Sequence, residues 1–375
     1  MKVPMVDLTR DYAEFKKDID AAIYGVLNTS HFIFGEDVAK FEEEFAKLNG
    51  SKYAISVASG TDALRIAIIA SGIGPGDEVI TTPFTFIATT ETVSQAGAKV
   101  VFADIEEDTY NIDPKSIEKK ITKKTKAIIP VHLYGHPANM QEIIKIAKKH
   151  NLIVIEDCAQ AFTAKYKINN QWKFVGSIGK CGTFSFFPAK NLGAYGDGGL
   201  ITTDDEKIAS NIKTLRNHGS SQRYIYEMEG FNSRLDTIQA AVLRVKLTKI
   251  LKFTELRNQV AKKYEKELKS VCITPVVKEN CYHSFNYYTV KFDSKETRDS
   301  VSKYLTENQV ANQIYYPIAL HLQKAYTRLG YKEGDLPVTE KIQNQVLSLP
   351  MFPQLKDEEI NYIAEKIKEA VGVKR

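Results

Sequence analysis

From residue 53 the chain repeats one pattern: a short β-branched apolar run ends at a turn and is followed by an amphipathic stretch. Runs at Tyr53–Val57, Glu78–Thr82, Lys99–Phe102, Lys126–Val131 and Leu152–Ile155 read as strands. Between them apolar positions recur at helical spacing over Thr61–Ala70, Ala88–Gln95, Pro114–Lys119 and Met140–His150. Strands alternating with helices predict an α/β fold, a mainly parallel, doubly wound sheet covered by helices on both faces. Ligands of such a sheet bind at the carboxyl ends of its strands.

The same pattern continues with a strand at Gly199–Thr203 and helices at Glu206–Leu215 and Asp236–Leu251. A long helix at Phe253–Leu268 then bridges to a second unit, where Tyr287–Phe292 and Ala311–Tyr316 read as strands and Glu296–Glu307 and Asp357–Val371 as helices. The expected division is a large domain over 1–250, including an N-terminal arm, and a small α+β domain over 251–375. No internal repeat is visible.

Charge changes this picture little. The 51 Lys+Arg against 46 Asp+Glu leave a net +5, spread along helical faces such as Lys119-Lys120 and Lys148-Lys149, so no nucleic-acid footprint is expected. The four cysteines, Cys158, Cys181, Cys272 and Cys281, form no C-x-x-C pair and join no histidine at ligand spacing, so no metal site is expected. No run approaches the ~18 uninterrupted apolar residues of a membrane span, and the N-terminus lacks an apolar signal core. A cytoplasmic protein with no membrane partner is predicted.

Three motifs carry candidate chemistry. FSFFPAKNLGAYGDGG (184–199) sets Lys190 between a β-rich run and a glycine-dense turn; EDCAQ (156–160) closes an apolar strand; SGTDAL (59–64) joins a strand to a helix. Together they suit pyridoxal 5'-phosphate. Lys190 would form a Schiff base with the aldehyde and later move a proton. Asp157 would keep the pyridine nitrogen protonated, since opposite charges favour each other's charged forms. Gly60 and Thr61 open a helix whose first amides suit a phosphate, with the Thr61 and Ser185 hydroxyls as further donors. Gln160 would bond the ring's phenolic oxygen, and Phe86, in TTPFTFIAT (81–89), would either stack on the ring or join the core. GDGG (196–199) lacks dinucleotide-fingerprint spacing and reads as a turn.

In this order the motifs resemble the fold-type I, pyridoxal-phosphate-dependent sugar aminotransferases of the DegT/DnrJ class. The resemblance extends from VDL (6–8) through FIFGEDVAKFEEEFA (32–46) to YYPIALHLQ (315–323) and LSLPMFP (347–353). It implies a seven-stranded sheet in the large domain, and a homodimer in which Asn232, from GFNSRLDTIQA (230–240), reaches the partner's cofactor phosphate. It also implies Arg234, His321 and His218 as groups near a nucleotide-sugar substrate, although the two histidines fit a structural role equally. The sequence departs from the commonest pattern at Cys158, Thr163 and Ala189, and none of these removes a group assigned chemistry. Some relatives that remove a hydroxyl rather than add an amine carry histidine where Lys190 stands, so the resemblance favours amination. The implied reaction moves an amino group from L-glutamate, leaving 2-oxoglutarate, to C3 of a nucleotide-linked 3-keto sugar for surface-glycan synthesis. Two substrate classes fit: UDP-linked 2-acetamido-3-keto hexoses or hexuronic acids of lipopolysaccharide pathways, which the resemblance favours, and dTDP-linked 3-keto-6-deoxyhexoses. A non-catalytic sensor on the same fold is the competing class.

Overall fold

In the computed structural model, which describes residues 1–372, the alternating pattern becomes one seven-stranded sheet. In chain order its strands are β1 (Tyr53–Val57), β2 (Glu78–Thr81), β3 (Lys99–Phe102), β4 (Thr125–Ile129) and β5 (Ile153–Asp157). A separate hairpin, β6 (Lys165–Ile168) and β7 (Gln171–Phe174), precedes the last two, β8 (Cys181–Ser185) and β9 (Gly199–Thr203). Their order across the sheet is β1-β9-β8-β5-β4-β2-β3, parallel except for β9, which runs against both neighbours.

Helices cover both faces because neighbouring residues of a strand point to opposite sides. Val79 and Ile129 meet α3 (Gly60–Ala70), α4 (Ala88–Gln95) and α7 (Glu206–Leu215), whereas Ile80 and Ile128 meet α5 (Pro114–Lys120) and α6 (Met140–His150). At the β1 side a third layer forms from α2 (Glu36–Asn49) and α8 (Thr237–Leu247). There Phe41 and Phe45 pack against Phe162, Phe184 and Phe186, with Phe45 stacked on Phe162 at 4.7 Å. Outside this layer lies α1 (Leu8–Thr29), started by Asp7, whose carboxylate accepts from the amides of Thr9 and Arg10. It buries Phe15 and Ile19 against Val242 and Phe253.

The long bridging helix is α9 (Ile250–Leu268). Its first residues pack with the large sheet's layers, and its later ones, Val260, Ala261, Tyr264 and Leu268, enter a second core. That core is built on the antiparallel pair Tyr288–Lys291 and Val346–Leu349, flanked by helices Lys295–Glu307 and Asp357–Val371. Val3 joins it from the N-terminus, bonding through its backbone to Gln309 and Ala311. No helix among the described residues is long and apolar enough to cross a membrane.

Several expected elements change, among them the strand expected at 126–131, which runs Thr125–Ile129. The helix expected over 236–251 is two helices, broken at Thr248 and Lys249. The strand expected at 311–316 is a single bridge, Gln313 with Ser348. Val3 occupies the backbone of residue 311 on one side, and on the other Tyr315 and Tyr316 turn away toward Tyr134 and Gln160. The strand expected at 152–155 ends two residues later, so that Asp157 is its last residue.

Phe45 is fully buried within the aromatic layer. Phe45→Ala is expected to lower stability by about 3–5 kcal/mol, read by urea denaturation, because four rings cannot close on the space it leaves.

Candidate active site

Two adjacent carboxylates close β5, and they face opposite sides of the sheet. Glu156 is fully buried and accepts the amides of Gly176 (2.9 Å), Ile178 (2.8 Å) and Gly179 (2.6 Å). Its remaining partner is His132 Nε2, at 3.0 Å. The Ala138 amide donates to His132 Nδ1 at 2.9 Å, so the imidazole proton sits on Nε2 and His132 donates to Glu156. Cys158 Sγ completes a His–Glu–Cys group close enough to hold a metal ion, but its donors and acceptors are already spent on one another and on the backbone.

Asp157 faces the other way, toward the carboxyl end of the sheet. Its Oδ2 accepts from the Thr89 hydroxyl at 2.8 Å and its Oδ1 from the Ala159 amide at 3.1 Å, and Thr85 backs Thr89 at 2.9 Å. Burial pushes the Asp157 carboxyl up, and the Ala159 amide, the Thr89 hydroxyl and the charge of Lys190 pull it back down.

Lys190 lies in the loop after β8. Burial lowers its ammonium to about 8, against the pull of the Asp157 charge. Its amine has no hydrogen bond or ion pair, which leaves it free to react.

Beside this pair lies the start of α3. The Ser59 hydroxyl caps the helix through the Asp62 amide at 3.1 Å, leaving the first amides, at Gly60 and Thr61, without helical acceptors. A Cβ on Gly60 would stand 2.5 Å from Ser185 Cβ, and one on Gly199 only 2.2 Å from the Ser59 carbonyl oxygen. Glycine at both positions therefore lets the end of β8 close on the helix, which brings the Ser185 hydroxyl to its N-terminus. Free helix amides and a hydroxyl brought to one point suit an anion such as a phosphate. With a buried carboxylate and an unpaired amine alongside, the residues present fit pyridoxal phosphate.

The other predicted residues fall into three groups. Gln160 is buried, with Oε1 accepting from the Tyr134 amide (2.8 Å) and Nε2 donating to the Tyr316 hydroxyl (2.9 Å), so one amide proton is left for a ligand. Phe86 is 57% exposed on the loop before α4, whereas its neighbour Phe84 takes the core position. Asn232 is exposed and pairs through its backbone with Asn217; Arg234 reaches the Asn217 side chain at 3.5 Å and its Nε has no partner; His218 is exposed in a left-handed turn. His321 is buried against Phe102 and Tyr331, with Nε2 held 3.0 Å from Glu340. Sequence reasoning passed over Thr89, Tyr134, Tyr316 and His132. Thr89 was within reach, because it follows Phe86 by three residues at the start of a helix; the other contacts join segments distant in the chain.

Comparison with known proteins agrees over the whole length. The model of the DegT/DnrJ/EryC1/StrS aminotransferase family matches residues 13–368. A protein of Geobacillus stearothermophilus named "Pleiotropic regulatory protein" is 47% identical, covering 98% of each chain. The UDP-N-acetyl-3-dehydro-alpha-D-glucosamine 3-aminotransferase of Acidithiobacillus ferrooxidans is 44% identical, covering 98% of this chain and 97% of its own. The dTDP-3-amino-3,6-dideoxy-alpha-D-galactopyranose transaminase of Aneurinibacillus thermoaerophilus is 42% identical, covering 97% and 98%. Among solved structures, S. venezuelae DesV in complex with a ketimine intermediate superposes with a TM-score of 0.95 at 38% identity, covering 100% of both chains.

The lowered Lys190 gives a testable pH dependence. Between 8 and 10.5 the unfolded chain keeps a proton that the folded, cofactor-free chain has released, so this group makes stability rise with pH across that window. The stability of cofactor-free wild type relative to Lys190→Met is expected to increase as pH is raised through it, in urea denaturation. An unchanging difference would place Lys190 in ordinary solvent.

Proposed function

The chain belongs to the DegT/DnrJ/EryC1/StrS aminotransferase family and is a pyridoxal-phosphate-dependent sugar aminotransferase; from that premise we propose that it transfers an amino group from L-glutamate to C3 of a UDP-linked 2-acetamido-3-keto sugar. The observation that carries the catalytic assignment is the buried Asp157 carboxyl and the half-buried, unpaired Lys190 amine set beside the α3 N-terminus, with desolvation shifting their proton affinities in opposite directions.

When bound, the cofactor supplies an aldehyde that captures amines and a ring that takes up an electron pair. Lys190 holds that aldehyde through its Nζ, and its lowered ammonium leaves a useful fraction of free amine near neutral pH. With its Nζ free, Lys190 would be the group that moves a proton to and from the substrate carbon. Asp157, held in place by the Thr89 hydroxyl and the Ala159 amide, would keep the ring nitrogen protonated. Gly60, Thr61 and Ser185 bind the phosphate, Gln160 offers its free amide proton to the phenolic oxygen, and Phe86 presents an exposed ring to the cofactor face.

The reading includes a homodimer with shared sites. Asn232 is exposed, and its segment is tied to an apolar surface: Phe32 and Ile33 bond through their backbones to Thr237 and Asp236, and the adjoining hairpin exposes Tyr224, Ile225 and Tyr226. Arg234, on this segment, and His218, whose amide donates to the Phe231 carbonyl at 2.9 Å, are proposed to face the sugar nucleotide. His321, enclosed by Phe102, Tyr331 and Glu340, would act there only by supporting the loop that carries it.

The UDP preference rests on the Acidithiobacillus ferrooxidans relative. The dTDP-linked deoxyhexose reading, favoured by the Aneurinibacillus thermoaerophilus relative, is the alternative. A regulatory role is favoured by the names of relatives alone, that of Geobacillus stearothermophilus and the "Erythromycin biosynthesis sensory transduction protein EryC1" of Saccharopolyspora erythraea.

Purified protein with pyridoxal phosphate is expected to show a visible lysine-bound band that L-glutamate bleaches. Among 3-amino sugar nucleotides run in reverse, the UDP-linked 2-acetamido form should bleach it and dTDP-linked forms should not; the opposite preference overturns the UDP assignment. Lys190→Ala is expected to lose the band and at least roughly 10²–10⁴-fold in turnover. Asp157→Asn should keep the band and slow turnover strongly. Unimpaired turnover in Lys190→Ala would remove its catalytic role.

A further inference from the structure

The loop that carries Lys190 is fixed at three points. The Ala194 amide donates to the Phe186 carbonyl at 2.8 Å and closes residues 187–193 on themselves. Asn191 Nδ2 donates to the Ser284 carbonyl at 3.1 Å. From α8, Lys246 Nζ donates to the Gly193 carbonyl at 2.8 Å.

The third contact is unlike the others because it buries a charge. Lys246 is 5% exposed, and its ammonium lies 2.7 Å from Asp11 Oδ2 on α1 and 5.2 Å from the centre of the Tyr195 ring. Burying the Lys246 ammonium, with the half-buried Asp11 carboxylate against it, to satisfy one carbonyl costs far more desolvation than a hydroxyl or amide donor would. Stability alone does not favour such a pair over apolar residues of the same size. What the pair does achieve is positional. Gly193 is pressed onto the start of the loop, where a Cβ would stand 2.2 Å from the Pro188 carbonyl oxygen, so fixing the Gly193 carbonyl fixes both ends of the segment holding Lys190. The Lys190 amine makes no bond of its own to define its place.

We propose that Lys246, held by Asp11, is a positioning residue that clamps the Gly193 carbonyl and so sets the reach of Lys190, making α1 a working part of the active site. This rests on the reading of Lys190 as the lysine that holds the cofactor.

The test compares wild type with Lys246→Met, Lys246→Arg, the double variant Asp11→Leu/Lys246→Met, and Arg10→Met. The last breaks a different tether of α1, the Arg10 ion pair with Glu359 at 2.6 Å, and touches nothing in the loop. Three quantities are read: urea stability, the pH midpoint of the lysine-bound absorption band, and the rate at which that band forms when pyridoxal phosphate is added to cofactor-free protein. Lys246→Met is expected to lose stability, shift the midpoint and slow band formation by roughly 10-fold, since a lysine displaced by a fraction of an ångström reaches the aldehyde less often. The double variant should regain stability, having no lone buried charge, yet keep the shifted midpoint and slow formation. Lys246→Arg should stay near wild type in both spectral quantities, and Arg10→Met should lose stability without moving either. Spectral recovery in the double variant, or an equal spectral shift in Arg10→Met, would overturn the proposal by reducing it to general loosening. If Lys246→Met does not fold, the double variant decides alone. A wild type that forms no lysine-bound band would instead overturn the assignment of Lys190 itself.

Discussion

The site depends on burying Glu156 and Asp157 next to each other at the end of one strand. Two carboxylates in a low-dielectric interior are tolerable only if at least one is fully satisfied by donors. Glu156 is: three amides from residues 176–179 and the His132 imidazole converge on it. That convergence also dictates the path of the chain. The segment 176–179 has to wrap the Glu156 carboxylate before β8 begins, and Gly176 is the residue that turns there, in a left-handed conformation where a Cβ would strike the Phe184 ring at 2.3 Å. β8 therefore enters beside β5 in the register that sets Thr183 against Asp157 and delivers Ser185 and the Lys190 loop to the same end of the sheet.

Asp157 is left with two donors rather than four, and this difference between neighbours has chemical meaning. An under-satisfied buried carboxyl is raised, an unpaired, half-buried amine is lowered by desolvation, and each partly restrains the other. A cofactor with a basic ring nitrogen and an electrophilic aldehyde would resolve both at once, giving the carboxylate a cation and the amine a bonding partner. The electrostatic strain of the protein alone is thus complementary to the group it binds, a form of preorganisation at the scale of two side chains.

Rigidity comes from farther away. The Lys190 loop is held by α8 and by the segment at Ser284, and α8 is in turn overlaid by α1 through Asp11. The N-terminus also runs through Val3 into the second core, so the first residues of the chain connect the loop, the sheet layers and the small antiparallel pair. Tyr134, Tyr315 and Tyr316 join the two cores on the other side of the site, reaching Gln160.

Much of this was legible in the residues alone. The parallel sheet, its helices and the place of Asp157, Lys190 and the Gly60–Thr61 helix start are written locally, because strand alternation, helical spacing and glycine-marked turns depend on neighbours in sequence. The family resemblance rests on the same local motifs. What the sequence leaves open is long-range. Glu156 looks like its neighbour Asp157 until the fold brings three distant amides to one of them and a threonine to the other. Lys246 and Asp11 read as ordinary residues of amphipathic helices until α1 and α8 meet over Gly193. The segment 311–316 has strand composition but finds room for only one bridge. Periodicity records which face of an element is buried; only the tertiary structure decides which polar groups meet inside, because a buried charge is defined by its partners and those lie tens to hundreds of residues away.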